Sequence, residues 1–261
     1  MEDLYVIKIG GNIIDEEPML SSFLKKFASV NGKKILVHGG GKMATRMAEK
    51  MGIPQQLVDG RRITDQETLK IVIMVYAGYI NKNIVALLQS HQCQATGICG
   101  ADGNSVLAHK RISTGTDYGL AGDIDSVNEQ WLKSLLDQGL AIVMAPITHN
   151  GQGQLLNTNA DTMAQEIAKA MSKSFQVKLI YSFEKAGVLM DVQDEQSVIS
   201  SLNPASYLEL KESKKIFAGM IPKLDNAFTA IRQGVKKVII GKGEDLENLL
   251  TGKSGTTISH E

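Results

Sequence analysis

Apolar positions along this 261-residue chain come in short, nearly unbroken runs separated by stretches where they recur at helical spacing. Leu4-Tyr5-Val6-Ile7, Lys34-Ile35-Leu36-Val37 and the runs at 140–146, 177–181 and 235–240 read as strands buried on both faces. Between them, Phe23-Leu24-Lys25-Lys26-Phe27 begins a helical period, and Met43, Met47 and Met51 fall at i, i+4 and i+8. Thr64-Asp65-Gln66-Glu67 has the form of a capping box and opens a long helix to about His91. That helix is apolar on more than one face, so one side is expected to meet another subunit. A strand ends at Thr96-Gly97-Ile98. The polar, glycine-rich stretch from 99 to 125 is long for a connection and is expected to form a binding loop or hairpins. His149-Asn150-Gly151-Gln152 reads as a hairpin turn, and Asn159 as the cap of a helix from Ala160 to about Met171. Further helices are expected near 203–210 and 223–233, with 235–240 as the last buried strand. This alternation predicts an α/β fold: a mostly parallel open sheet between helix layers, in two lobes, 1–172 and 173–261, divided where Ser172-Lys173-Ser174 interrupts the apolar pattern.

Composition narrows the function. Acidic and basic side chains number 28 each, so no long-range field draws in nucleic acid or an anionic membrane, and aromatics at 5% offer no base-stacking surface. Cys93 and Cys99 are too few for a zinc site or a disulfide scaffold. Met1-Glu2-Asp3 lacks a basic leader, and no apolar run is expected to reach membrane-spanning length, which points to the cytoplasm.

The candidate chemistry lies in two turns. Lys8-Ile9-Gly10-Gly11-Asn12 closes the first strand and His38-Gly39-Gly40-Gly41-Lys42 the second. Glycine lets backbone N–H groups crowd round an anion, and a following helix points its positive end at the same spot. Two such turns on neighbouring strands would cradle a triphosphate and a second anion, which suits phosphoryl transfer between small molecules. Two familiar phosphate motifs fit poorly. Gly39-Gly40-Gly41-Lys42-Met43-Ala44 has the dinucleotide spacing, with Asp59 about 20 residues on, but 52–56 leaves little room for the strand Asp59 should close. Gly252-Lys253-Ser254 ends like a Walker loop, yet Glu247 stands where its first glycine belongs. Lys8, at the end of an apolar strand, either snorkels to water or aims into the cradle. Asp161 is either a first-turn acid satisfying the helix dipole or a functional carboxylate. Asn157 and Asn159 suit turns and caps. Lys223 opens a helix, where the dipole disfavours a cation, and Arg62 precedes the capped helix, where it could clamp a carboxylate or point to solvent.

Together these residues resemble the amino acid kinase family. The resemblance rests on Lys8-Ile9-Gly10-Gly11, His38-Gly39-Gly40-Gly41, Gly60-x-Arg62-Ile63-Thr64, Asn157-Thr158-Asn159-Ala160-Asp161, Gly219-Met220-x-x-Lys223 and Gly255-Thr256-Thr257-Ile258, in order along the whole chain. It implies an ATP- and Mg²⁺-dependent kinase that phosphorylates the γ-carboxylate of an N-acylated glutamate in the arginine pathway. Other acceptors within the fold (glutamate, aspartate, carbamate, a nucleoside monophosphate) remain open, as do a nicotinamide-dependent oxidoreductase on the Gly39 turn and a non-catalytic nucleotide sensor. It further implies that Lys8 and Lys223 neutralise the transferring group and that Asp161 holds both. By the same likeness Gly10 and Gly11 donate to phosphates, and Gly40, Gly41, Arg62 and Asn157 hold the acylated amino acid. ATP would lie on the second lobe along Glu184, Gly187 and Leu189 and around Lys215 and Phe217, with the first lobe binding the acceptor and dimerising. The turn Phe183-Glu184-Lys185-Ala186-Gly187-Val188 departs from the family's Asp-Val-x-Gly-Val. Because Lys8 lies close to Met1, the resemblance also implies a homodimer that lacks an N-terminal linking helix and arginine feedback.

Overall fold

The structure is a computed structural model that describes residues 1–58, 60–191, 193–213, 216 and 220–260. Its strands are β1 (Asp3–Ile9), β2 (Lys33–His38), β3 (Leu57–Val58), β4 (Arg61–Arg62), β5 (Ala95–Cys99), β6 (Val106–Lys110) and β7 (Ala121–Val127), followed by β8 (Ala141–Ala145), β9 (Ile147–His149), β10 (Leu155–Thr158), β11 (Gln176–Phe183), β12 (Ser201–Leu202), β13 (Lys237–Lys242) and β14 (Thr256–Ile258). Its helices are α1 (Gly11–Asp15), α2 (Glu17–Ser29), α3 (Gly41–Lys50), α4 (Gln66–Val72), α5 (Asn81–Ser90), α6 (Glu129–Asp137), α7 (Ala160–Met171), α8 (Pro204–Glu212), α9 (Ile221–Arg232) and α10 (Leu246–Thr251). Eight strands form one sheet in the order β12-β14-β13-β11-β1-β2-β8-β5, parallel except where β14 meets β13. The apolar runs predicted as two-face strands are its centre, with Leu4, Val6, Ile7, Ile35, Leu36, Val37, Ile142 and Val143 buried completely. One face packs on α6, α7, α8 and α9, the other on α1 to α5 and α10, so helices cover the sheet on both sides.

Four differences from the sequence expectations have local causes. The cap of α4 is Asp65, whose carboxylate accepts the Thr68 N–H at 2.7 Å, and not Thr64. Thr64 is buried and bridges Gly119, so its hydroxyl donates to the Arg62 carbonyl instead. The strand 235–240 is not the last, because β14 inserts between β13 and β12; three residues of Thr-Thr-Ile carry too little apolar signal to be seen alone. Gln66–Ser90 is long and apolar enough, by length and composition, to cross a membrane. Here its Leu69, Val72, Val75, Ile80, Ile84 and Leu88 pack into the core. Its middle, Ile73–Ile80, widens into a π-helix, a form often found beside functional sites.

The glycine-rich stretch 99–125 does form a hairpin, β6 with β7, and β9 turns back on β10 through His149-Asn150-Gly151-Gln152. These four strands close on one another as a small barrel, β10-β7-β6-β9, beside the end of the main sheet. β3 pairs only with β4, outside the main sheet, so the strand a dinucleotide fold needs before Asp59 is two residues long and misplaced. Asp59 itself lies outside the described residues.

Candidate active site

The chain enters the sheet at β1, moves to β2 on one side, and later resumes at β11 on the other. At such a reversal the crossovers leave in opposite directions and open a crevice above the carboxyl ends of the strands. Lys8 stands there, in register between Val37 of β2 and Tyr181 of β11. Its ammonium lies 2.7 Å from Asp161 Oδ1. Asp161 is free to make this contact because Asn159 caps α7, its side-chain oxygen accepting the Asp161 and Thr162 N–H groups at 2.9 and 3.0 Å. The capping N–H groups are thus satisfied without the Asp161 carboxylate, which stays in the first turn of α7.

Lys223, on the first turn of α9, reaches the same crevice from 215 residues away, its Nζ 4.0 Å from the centroid of the Phe183 ring. Loss of water around that ammonium pulls its pKa below the ordinary lysine value; the Asp161 and Glu184 charges oppose the shift and Lys8 adds to it. Lys8 and Lys223 line a shared cavity of about 360 Å³ with Gly10, Gly11, Asn12, Phe183 and Glu184. A smaller one of about 80 Å³ links both lysines to Asp161 and Asn226. Asp161 bonds Lys8 directly and touches Lys223 only through its field.

A second cavity, about 180 Å³, opens against Gly39, Gly40, Gly41, Asn157 and Asn159 and reaches Ala160, the residue before Asp161. Gly40 has φ +147°, and a Cβ there would sit 2.4 Å from Ile80 Cδ1. Only glycine lets the turn lie so close under the π-helix. Arg62 is buried, donating through Nη2 to the Gly41 carbonyl and Thr45 Oγ1 at 2.9 Å each and through Nη1 to Gln55 Oε1. Its guanidinium also bonds the Tyr76 hydroxyl, and both side chains line the cavity. Asn157 is steadied by its Nδ2 donating to Thr64 Oγ1 at 3.0 Å.

The structure thus brings together Lys8, Lys223, Asp161, Gly10, Gly11 and Glu184 around the first cavity and its seam, and Gly40, Gly41, Arg62 and Asn157 around the second. Gly187 and Leu189, expected along a nucleotide, are not among the residues that line these cavities. A Cβ on Gly187 would strike Thr256 Oγ1 at 2.7 Å, and Leu189 is buried against Val198. Lys215, Phe217 and Gly219 lie outside the described residues.

Three wall residues escaped the sequence reading. Asn12 donates to Glu184 Oε1 at 2.5 Å and accepts from Lys42 at 2.7 Å, tying both glycine turns to the turn after β11. Arg61 and Arg111 join Arg62 on the second cavity. Arg111 is held by Asp123 at 2.9 Å, whereas burial and the Arg111 charge both press the Arg61 pKa down. Arg61 could have been suspected as the neighbour of Arg62. Nothing local marks Arg111, which the β6–β7 hairpin carries in. Among the described residues no three His, Cys, Asp or Glu side chains group as a metal site.

Residues 3–242 match the amino acid kinase family. An acetylglutamate kinase from Cytophaga hutchinsonii is 57% identical over 251 residues, which cover 96% of this chain and 95% of that one. Another from Phocaeicola vulgatus is 49% identical over 98% of each. Among solved structures, N-acetylglutamate synthase from Neisseria gonorrhoeae, complexed with coenzyme A and N-acetyl-glutamate, superposes with a TM-score of 0.83 at 23% identity. The match covers all of this chain but 60% of the synthase, and at that identity the likeness is one of fold.

Proposed function

The chain belongs to the amino acid kinase family, and from that premise we propose that it transfers the γ-phosphoryl group of ATP to the γ-carboxylate of N-acetyl-L-glutamate, or a related N-acylglutamate, giving an acyl phosphate and ADP in arginine biosynthesis. The observation that carries this is the convergence of Lys8, paired with Asp161, and Lys223 on one cavity, together with a second cavity walled by three arginines that reaches Asn159 and Ala160, next to Asp161 in the chain.

A side-chain carboxylate, with a reference pKa of about 4.3, is already a nucleophile at neutral pH and needs no general base. What opposes reaction is repulsion between it and the γ-phosphate. Lys8 and Lys223 relieve that repulsion on the side of the transferring group, with Asp161 orienting Lys8. Gly10, Gly11 and Glu184 face the nucleotide; Gly40, Gly41, Arg62 and Asn157 hold the acceptor in line. An anionic acceptor also relieves the crowding of Arg61 by Arg111. Mg²⁺ carried on ATP would neutralise charge on its phosphates. In this assignment 1–172 binds acceptor and 173–261 binds ATP, and the enzyme works in the cytoplasm.

A hydroxamate trap for the acyl phosphate tests the assignment. With ATP and Mg²⁺, hydroxamate is expected from N-acetyl- or N-succinyl-glutamate and not from glutamate, aspartate or carbamate. ATP with Mg²⁺, and not NAD, is expected to raise the melting temperature. Turnover of free glutamate or aspartate in place of the acylated forms would overturn it.

We further propose a homodimer joined through Gln66–Ser90, whose outer face leaves Met74 and Tyr79 51% and 62% exposed. Light scattering should show dimers that Tyr79→Glu splits. A wild-type monomer or hexamer, or inhibition by arginine, would contradict this arrangement.

A further inference from the structure

His38 is fully buried directly before the Gly39-Gly40-Gly41 turn, and the chemistry above gives it no task. Its hydrogen bonds are determined one by one. Asn81, also fully buried, lies 3.0 Å from the Val143 carbonyl through Nδ2, and its Oδ1 lies 3.1 Å from Lys82 Nζ. A carbonyl only accepts and an ammonium only donates, so the amide cannot be turned over. Gly97 leaves room for it: a Cβ there would lie 2.1 Å from Asn81 Oδ1. Asn81 Nδ2 therefore also donates to His38 Nε2, 3.3 Å away, which must be the bare nitrogen. The proton is left on Nδ1, which donates to the Gly39 carbonyl at 2.8 Å.

That last bond sets the turn. In a trans peptide the Gly39 C=O and the Gly40 N–H point to opposite sides. With the carbonyl drawn to His38, the N–H faces away from it, and Gly40 lines the second cavity. Among the described residues, neither the Gly40 nor the Gly41 N–H donates to a protein acceptor. We propose that His38 is a positioning residue for the acceptor: held as its Nδ1–H tautomer by Asn81, it fixes the Gly39 carbonyl and so aims the Gly40 N–H at the acceptor's carboxylate. This rests on the placement of the acceptor at Gly40 and Gly41. Burial keeps the imidazole neutral, its pKa pushed down to about 4, with the Lys82 charge adding to the shift and the Gly39 bond opposing it. A charged ring would have no acceptor for its second N–H, because Asn81 presents a donor.

Long-range ¹H–¹⁵N spectra of the wild-type protein report the tautomer directly, with the His38 signal among five histidines assigned by its loss in His38→Asn. The proton is expected on Nδ1 at pH 7; an Nε2–H ring overturns the proposal. Kinetics give the second arm. Asn places an amide N–H where Nδ1 stood, whereas Gln places its amide where Nε2 stood. His38→Asn should keep acceptor kcat/KM near wild type. His38→Gln should raise acceptor KM by about tenfold, on the order of one neutral hydrogen bond, with the KM for ATP unmoved. Equal losses in Asn and Gln variants, or parallel rises in both KM values with a falling Tm, would mark His38 as a packing residue and overturn its positioning role. If the Nδ1–H tautomer is seen and the wild type turns over no acylglutamate, the fault lies with the substrate assignment and the turn geometry stands.

Discussion

Lys8→Ala is expected to lower kcat by about two to three orders of magnitude, the usual cost of losing one pre-organised donor to a developing charge, while Tm stays within a few degrees. The asymmetry follows from what each state loses. In the resting protein Lys8 makes one ion pair, and its partner Asp161 is 44% exposed. Water can take over that carboxylate, so folding loses little. In the proposed transfer the same ammonium would sit between two anions that water no longer separates, where its charge is worth far more. Lys223→Ala should show the same pattern. Its ammonium lies over the Phe183 ring while Lys223 stays exposed, so folding loses little on its removal and the reaction loses much. The double variant should fall little below either single one if both lysines act on one charge. Steady-state kcat beside thermal melting checks this; wild-type turnover in either variant would refute the assignment.

Gly40→Ala is expected to raise acceptor KM by about ten- to a hundredfold and lower Tm by several degrees. At φ +147° the new side chain brings backbone strain of about 1–3 kcal/mol. Its Cβ would also fall 2.4 Å from Ile80 Cδ1 and 3.1 Å from the Tyr76 ring. Either the turn or the π-helix must give way. Ile73–Ile80 is anchored by buried Val75, Tyr76 and Ile80, so the turn is the softer element, and with it the N–H groups proposed to hold the acceptor. The KM for ATP should stay near wild type, because the cavity proposed for the nucleotide is built on the Gly10 turn. Gly52→Ala is the control: φ is +70° there too, but a Cβ meets nothing within 4 Å, so stability alone should respond. An unchanged acceptor KM in Gly40→Ala would show that this turn does not hold the acceptor.

What the sequence determined by itself was local and repetitive. Runs such as 177–181 and 235–240 are apolar on both strand faces, and only a sheet covered on both sides can bury them. Asn159 announced the start of α7 because an N-cap is satisfied within three residues of itself. The glycines at 10–11 and 39–41 announced the turns that open α1 and α3 because their backbone freedom is a property of each residue. Tertiary structure alone decided which distant groups would face each other. Lys8, Asp161 and Lys223 converge because the strand order reverses at β1 and β11, and no spacing along the chain encodes that. The closing of β6, β7, β9 and β10 into a barrel carries Arg111 to the arginine wall. The tautomer of His38 depends on Asn81, Lys82 and Val143, brought to it from a helix and another strand. Local propensity acts over a few residues of chain, whereas charge, close packing and hydrogen bonding act over a few ångströms of space. The second set becomes readable only once the fold has joined the two.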